Sequence, residues 1–362
     1  MLTSCASRSS GTWPGLSASG DRVYIAYNTN VTAVDMTAQE EVWSYSGEGN
    51  VQFYAPPSIE DGMVILGDYG SSGGLFSTGL TVSVYALEDQ DSGEPDVLWI
   101  AGDSISGRVF AEPLPIGDKV ILGTSDNQVV ALNIDDGSRI WEFSTGNQIW
   151  SQPALKDEIV YVTSVDRRVY ALDLNSGEKI WEATLTGANG GSPVVGDQYV
   201  YVGSFDGKLH AYDAKTGAEA WTATAKDWIW GAPAYSNGNV FYTDLDGNVY
   251  AIDGETGASL WDETVDGAIQ ANTVIQDDVL YIVSGDSAEL ENAQGYVTAL
   301  ASADGSVLWA AQVDAPIHTA PVITTDSLVV VVIDTETQLP KLIEIDLENG
   351  NETWSIIPGQ EE

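Results

Sequence analysis

A tryptophan recurs along most of the chain at intervals close to 40 residues. The four intervals between Trp99 and Trp261 are 42, 40, 40 and 40 residues long, and the flanking intervals are 56, 48 and 45 residues long. Each tryptophan ends the same local pattern, which is clearest from Val169 to Trp181 and from Val249 to Trp261. A sequence with such a period folds as an array of similar supersecondary units. The eight tryptophans that mark the units are Trp43, Trp99, Trp141, Trp181, Trp221, Trp261, Trp309 and Trp354.

Each unit contains four short segments with the alternation and the β-branched content of half-buried strands. Asp166 lies in a predicted turn between the second and third strands, and Gly177 lies between the third and fourth, where we expect a positive φ. Four strands every ~40 residues are typical of a propeller blade, so the sequence predicts an all-β, eight-bladed β-propeller of four-stranded antiparallel blades. The strands A to D predicted for the fourth unit lie near residues 152–155, 159–163, 169–173 and 180–181.

The charge balance excludes several classes of partner and site. The chain has 54 acidic and 13 basic residues, which give a net charge of −41. Such a field repels nucleic acid and anionic membrane surfaces, so we expect neither as a direct partner. One cysteine and two histidines, His210 and His318, are too few for a Cys/His zinc site or an internal disulfide. The sequence also lacks a Walker A loop, a GxGxxG fingerprint and a GxSxG elbow.

The repeat resembles that of the quinoprotein-type (PQQ-like) propeller family, whose hallmark is Ala-x-Asp-x-x-Thr-Gly-x-x-x-Trp. The segment from Ala211 to Trp221, Ala-Tyr-Asp-Ala-Lys-Thr-Gly-Ala-Glu-Ala-Trp, is the closest copy. The resemblance covers residues 13–357, which we expect to form a single propeller followed by an acidic tail at 358–362. It implies that the eight repeat tryptophans are structural and pack between neighbouring blades.

One column of the repeat, just before strand A, is rich in aromatic side chains. In a meander the D–A and B–C loops lie on one face, because strand direction reverses at each step. The column lies in the D–A loops, and the two largest insertions, 67–80 and 284–295, lie in B–C loops. We predict an aromatic-rimmed binding funnel near the axis, with the alternative that these side chains only pack on one another. The column consists of Trp13, Tyr54, Phe110, Trp150, Gly190, Trp230, Gln270 and His318. Trp228 lies two residues before Trp230, and we include it in the predicted funnel.

The resemblance also raises the question of a pyrroloquinoline quinone (PQQ) cofactor. Quinoprotein dehydrogenases of this fold carry a vicinal disulfide that stacks on the cofactor, calcium ligands and a catalytic Asp near the axis. The single cysteine of this chain, Cys5, excludes the stacking disulfide. Glu112, Asp227 and Asp286 lie on the predicted funnel face, but such carboxylates are expected in so acidic a chain. We therefore predict no cofactor, no catalytic residue and no metal, and keep a PQQ- and calcium-dependent oxidoreductase as an alternative.

The N-terminal segment Leu2-Thr3-Ser4-Cys5 matches the bacterial lipobox, in which cleavage exposes a cysteine that is then lipidated. Residues 6–12 are small and polar, and we expect them to form a short tether. Only four residues precede Cys5, whereas a signal peptide needs a basic segment and an apolar one. Either the true start lies upstream or the match is coincidental. We expect residues 1–12 to be a tether anchored by a lipid on Cys5.

A propeller of eight units behind a lipobox cysteine resembles the BamB family of lipoproteins, which assist outer-membrane β-barrel assembly as non-enzymatic scaffolds. The strong acidity departs from a typical member. The resemblance implies an extracytoplasmic, membrane-anchored scaffold, periplasmic or on the cell surface, and we expect a monomer. Its partner would be a protein at the membrane or a small ligand at the funnel face. A sensor that binds sugar or peptide through the aromatic rim is a further alternative.

Overall fold

The structure is a computed structural model that describes residues 13–47, 49–72, 80–286 and 293–360. Eight four-stranded antiparallel sheets follow one another along the chain, each built from its own strands A to D. The predicted eight-bladed, all-β propeller is thus confirmed. None of the described residues forms a helix with the length and apolar character needed to cross a membrane.

Strands A, B, C and D follow one another along the chain in every blade. Blade 1 has Gly15–Ser19, Arg22–Tyr27, Asn30–Asp35 and Glu40–Ser46, and blade 2 has Ser58–Glu60, Met63–Gly67, Val84–Glu88 and Val97–Ala101. Blade 3 has Leu114–Ile116, Lys119–Gly123, Gln128–Asn133 and Arg139–Ser144, and blade 4 has Ala154–Lys156, Ile159–Ser164, Arg168–Asp173 and Lys179–Thr184.

The second half of the ring repeats the same order. Blade 5 has Val194–Val195, Tyr199–Ser204, Lys208–Asp213 and Glu219–Thr224, and blade 6 has Ala234–Ser236, Asn239–Thr243, Asn248–Asp253 and Ser259–Thr264. Blade 7 has Val274–Gln276, Val279–Gly285, Gly295–Ala301 and Val307–Val313, and blade 8 has Val322–Ile323, Ser327–Ile333, Pro340–Asp346 and Glu352–Ile356. A small extra sheet pairs Ser71–Ser72 with Leu80–Thr81 in the insertion of blade 2.

The limits of strand A differ from the prediction for a physical reason. In blade 4 the strand begins at Ala154, not near Gln152. Pro153 has no N–H to donate to the ladder, and the N–H of Gln152 donates to the Ser192 hydroxyl of blade 5 at 2.9 Å. The predicted positive φ at the C–D glycines is confirmed, with values from 68° to 71° at Gly137, Gly177, Gly217 and Gly257.

The repeat tryptophans join each blade to the next. The Trp181 indole N–H donates to the Ala214 carbonyl of blade 5 at 2.9 Å, and its ring lies against Gly217 of that blade. Trp99, Trp141 and Trp309 make the same contacts with their following blades, and all are under 9% exposed. The core is correspondingly split into clusters that each span two adjacent blades.

The ring closes by side-chain packing without strand exchange. Blades 1 and 8 each contain four consecutive strands, so no strand crosses the seam. One apolar cluster joins Val23 and Val34 of blade 1 to Val329 and Leu342 of blade 8. The Thr319 hydroxyl also donates to the Pro14 carbonyl across the seam at 2.8 Å.

Candidate functional site

The aromatic column before strand A converges on one cleft. Because D–A and B–C loops share a face, Ser125, from a B–C turn, lines the same cleft as the column. The cleft has a volume of about 680 Å³. Its walls include seven residues of the predicted column, namely Trp13, Tyr54, Phe110, Trp150, Gly190, Trp230 and His318.

Edge-to-face contacts order one wall of this funnel cleft. The ring of Tyr69 lies 5.4 Å from that of Tyr54 and 5.6 Å from that of Phe110, centroid to centroid. Phe110 in turn lies 6.3 Å from Trp150 at an interplanar angle of 81°. The Trp150 N–H donates to the Gln148 side chain at 2.9 Å, which orients the indole. The rings thus contact one another, but Trp150 remains 41% exposed and its surface is available to a ligand.

Trp228 does not line the cleft, although it belongs to the same aromatic surface. Phe205, from the B–C turn of blade 5, stacks on both Trp228 and Trp230, with centroids 5.6 Å and 5.1 Å away. Trp228 is 50% exposed and Trp230 is 37% exposed. The aromatic surface therefore extends beyond the cleft on the side of blade 5.

His318 is held in a neutral, packed position. Its ring stacks on Trp13 with centroids 3.7 Å apart, and its Nδ1 lies 2.8 Å from the Gln270 side-chain oxygen. Nε2 is buried and makes no hydrogen bond with any described residue. Burial lowers the pKa of His318 to about 4, so the imidazole is uncharged at neutral pH. This side of the cleft therefore presents no positive charge.

Arg108 is the cation of the cleft. Its Nε donates to the Tyr69 carbonyl at 2.8 Å, and its guanidinium carbon lies 4.7 Å from the centre of the Tyr69 ring. Its backbone N–H donates to the Ser125 hydroxyl at 2.8 Å. These contacts fix the side chain against one wall.

A smaller pocket of about 200 Å³ adjoins the cleft and shares wall residues with it, among them Phe110, Trp150 and Trp230. Its other walls are formed by residues that immediately precede strand A in several blades. Polar side chains from four blades line it, and Gln270 of the predicted column is with them. Burial raises the pKa of the Glu112 carboxyl to about 7, and a hydrogen bond with Gln152 partly opposes this effect. The other polar members are Gln152, Ser192 and Asn272.

The pKa of Glu112 is higher in the folded protein than in the unfolded chain, so folding favours the protonated acid. The free energy of unfolding therefore falls as the pH rises from about 4.5 through about 7. Relative to wild type, Glu112→Gln should therefore gain about 2 kcal/mol in unfolding free energy between pH 5 and pH 8. The expected gain in unfolding free energy is smaller than the full pKa shift of Glu112 would give, because solvent still reaches part of the carboxyl group. Urea titrations at both pH values measure it. Glu178→Gln, in an exposed turn, is the control, and an equal gain in both variants contradicts the assignment.

The other candidate carboxylates, Asp227 and Asp286, are not among the residues that line the cleft. Asp227 accepts the N–H of Trp228, and Asp286 accepts the N–H of Gln294 in the blade 7 insertion. In residues 13–286 and 293–360, apart from the short gaps at 48 and 73–79, no three His, Cys, Asp or Glu side chains are placed to hold a metal. Among the described residues, the only carboxylate lining the cleft or its side pocket is that of Glu112. These donors do not fit PQQ with its calcium ion.

Sequence reasoning missed three residues of the aromatic surface. Tyr69 and Phe205 enter from B–C loops, while the predicted column covered only D–A loops. Arg108 stands two positions before Phe110, as Gln148 stands two before Trp150. In extended chain, residues two apart point to the same side, so this second column was a usable signal. Cys5 lies outside the described residues.

The comparisons with known proteins agree with this architecture. The family model described as outer membrane protein assembly factor BamB matches residues 5–165, 81–187 and 165–360. The structure of BamB from Moraxella catarrhalis is similar, with a TM-score of 0.68 and 20% identity over 87% of this chain and 92% of that chain. No match is found among curated proteins.

Two further structures show that proteins of different kinds share this fold. The computationally designed protein Ika8 has a TM-score of 0.70 at 15% identity over 88% of this chain and 93% of its own. A europium-containing methanol dehydrogenase has a TM-score of 0.64 at 13% identity over 84% of this chain and 78% of its own. A designed protein, an assembly factor and an enzyme thus share the fold, so the fold alone does not select a function.

Proposed function

We propose that this protein, which belongs to the family of the outer membrane protein assembly factor BamB, is a non-enzymatic, extracytoplasmic scaffold. In this proposal its funnel face binds its partner. The observation that carries the proposal is the family match, which extends over almost the whole chain. A role in assembly requires a rigid body with an exposed recognition surface. The blade-to-blade tryptophan contacts provide the rigid body, and the exposed rings of Trp150, Trp228 and Trp230 provide such a surface.

The proposal includes a lipid on Cys5 that tethers the propeller to a membrane. The support is the lipobox sequence from Leu2 to Cys5. A chain of net charge −41 is repelled by anionic lipid, so its own surface would not hold it at the bilayer. A covalent anchor supplies that attachment without requiring a basic patch.

The proposal also treats the cleft as free of PQQ and calcium. The single cysteine cannot form the stacking disulfide, and Glu112 is the one carboxylate found in the cleft and its side pocket within the described ranges. A general acid or base of suitable pKa is not by itself a catalytic site, and in the described part of the chain no three His, Cys, Asp or Glu side chains stand beside Glu112 to hold a metal. The similarity to methanol dehydrogenase therefore supports a shared fold only.

Photocrosslinking in the native host tests the scaffold role. With p-benzoylphenylalanine at Trp150 or Trp230, we expect crosslinks to an outer-membrane β-barrel protein or to a component of its assembly machinery, identified by mass spectrometry. The matched control is the same probe at Lys215, an exposed residue in a C–D turn on the opposite face. Equal crosslinking at Lys215, or alcohol oxidation by the purified chain with PQQ and calcium, would overturn the proposal.

A further inference from the structure

We infer that the funnel cleft binds a ligand that carries one carboxylate on a flat apolar body, with the guanidinium of Arg108 holding the carboxylate. This inference deepens the proposed function and rests on it, because it names the chemistry recognised by the same face. Three features of the cleft carry it: its charge, the anchoring of Arg108 and the nature of the walls.

The charge of the cleft is opposite to that of the chain. Acidic residues outnumber basic ones by 54 to 13 overall, yet among the residues that the structure describes no Asp or Glu lines the cleft. Arg108 is the one basic residue among its described lining residues, since His318 is neutral. A surface of random composition in this chain would expose carboxylates. The local reversal of charge therefore favours an anionic group on the ligand.

Arg108 is oriented and retains unused donors. A guanidinium has five N–H donors, and of these only the Nε–H is engaged, with the Tyr69 carbonyl at 2.8 Å. The two terminal nitrogens of Arg108 make no hydrogen bond with any residue that the structure describes. No carboxylate of those residues lies within 4.0 Å of them. The two terminal nitrogens form the planar fork that takes both oxygens of a carboxylate. Because Tyr69 already fixes the side chain, little conformational freedom is lost on binding.

The walls fit a flat apolar body. Trp13, Trp150 and Trp230 are between 37% and 42% exposed, so each leaves part of its ring open to the cleft. A volume of about 680 Å³ lies in the range of small-ligand sites, which are mostly apolar with a few polar anchors. One guanidinium balances one negative charge, whereas a polyanion would add uncompensated charge to a chain at −41. The ligand therefore carries one negative charge, and a carboxylate supplies it with two oxygens that match the planar fork of the guanidinium.

The carboxylate could belong to a free acid or to the end of a peptide, and the test separates them. Calorimetric titration of the full chain uses 3-phenylpropionate and the peptide Gly-Gly-Phe, each beside its neutral amide. We expect at least one acid to bind about tenfold or more tighter than its amide, the range for a charge-assisted hydrogen bond. Preference for the peptide acid identifies a protein C-terminus, and preference for phenylpropionate identifies a small metabolite. Equal binding of acid and amide in both pairs, or no binding, overturns the inference.

Variants assign the effect to Arg108. Arg108→Gln should abolish the preference for acid over amide, and Arg108→Lys should restore part of it, because charge remains without the fork. Trp150→Ala should weaken acid and amide alike, since it removes only wall contact. Arg168→Gln, whose side chain pairs with Glu182 on the outer strands of blade 4, is the matched control and should behave as wild type. Thermal melting of Arg108→Gln and Arg108→Lys checks that both are folded.

The outcome is separable from that of the proposed function. Crosslinks from Trp150 to an assembly protein without any acid preference would refute this inference alone. Acid binding without crosslinks would refute the scaffold role alone.

Discussion

Trp181→Ala should lower the free energy of unfolding by about 3–5 kcal/mol, the range for truncating a large buried aromatic side chain. Trp181 is 7% exposed and packs in the cluster that joins blades 4 and 5. The substitution removes the indole that covers Gly217 and the hydrogen bond to the Ala214 carbonyl. Tyr161 also donates to that carbonyl at 3.0 Å, so the acceptor is not left without a partner and the loss is mainly that of packing.

Urea unfolding followed by far-UV circular dichroism measures this effect without relying on tryptophan fluorescence. Trp228→Ala is the matched control, because it removes the same side chain from a site that is 50% exposed and stacked only on Phe205. It should cost about 1 kcal/mol, the value of one aromatic contact. Equal losses in the two variants would mean that the repeat tryptophans do not hold the blades together.

The fold was predictable because one signal recurs eight times. The period of the tryptophans set the number of blades, and the alternation within each unit set the strands. The start of strand A was only partly predictable: Pro153 is visible in the sequence, but the contact between the Gln152 N–H and Ser192, 40 residues away, is not. Closure of the ring also depends on contacts between residues more than 300 positions apart, such as that of the Thr319 hydroxyl with the Pro14 carbonyl, for which sequence periodicity gives no register.

The candidate site was predictable only where it follows the repeat. The position of the aromatic column recurs once per unit, so an alignment of the repeat units in the sequence was enough to find it. Tyr69 lies in the insertion of blade 2, which has no equivalent in most units, and its contact with Arg108 is set by how far that loop reaches. Trp228 was assigned to the rim by proximity in sequence, and it stacks instead on Phe205, outside the cleft lining. The loops therefore determine which side chains line the cleft, while the repeat determines the scaffold that carries those loops.

A column of small residues directly follows the aromatic column and controls how closely the loops approach the axis. A Cβ placed on Gly231 would lie 2.1 Å from the carbonyl oxygen of Ala271 in the next D–A loop, and 2.7 Å from its carbonyl carbon. Gly191 stands in the same relation to Gly231, with a Cβ position 2.9 Å from the Gly231 oxygen. Small residues at these positions let successive loops meet backbone to backbone. The size of the cleft therefore depends on them.

Gly231→Ala should destabilise the propeller by about 3 kcal/mol, because the methyl group meets backbone atoms that cannot rotate away. It should also displace Trp230 and Asn272, which lie on either side of the contact, and so change the near-UV circular dichroism of the funnel. Gly190→Ala is the matched control one blade away, since its nearest contact is the Phe205 side chain at 3.2 Å, which can move. That variant should stay within about 0.5 kcal/mol of wild type. Comparable stability of Gly231→Ala would mean that the loops at the axis are not in contact in solution and that the cleft is wider than the structure has it.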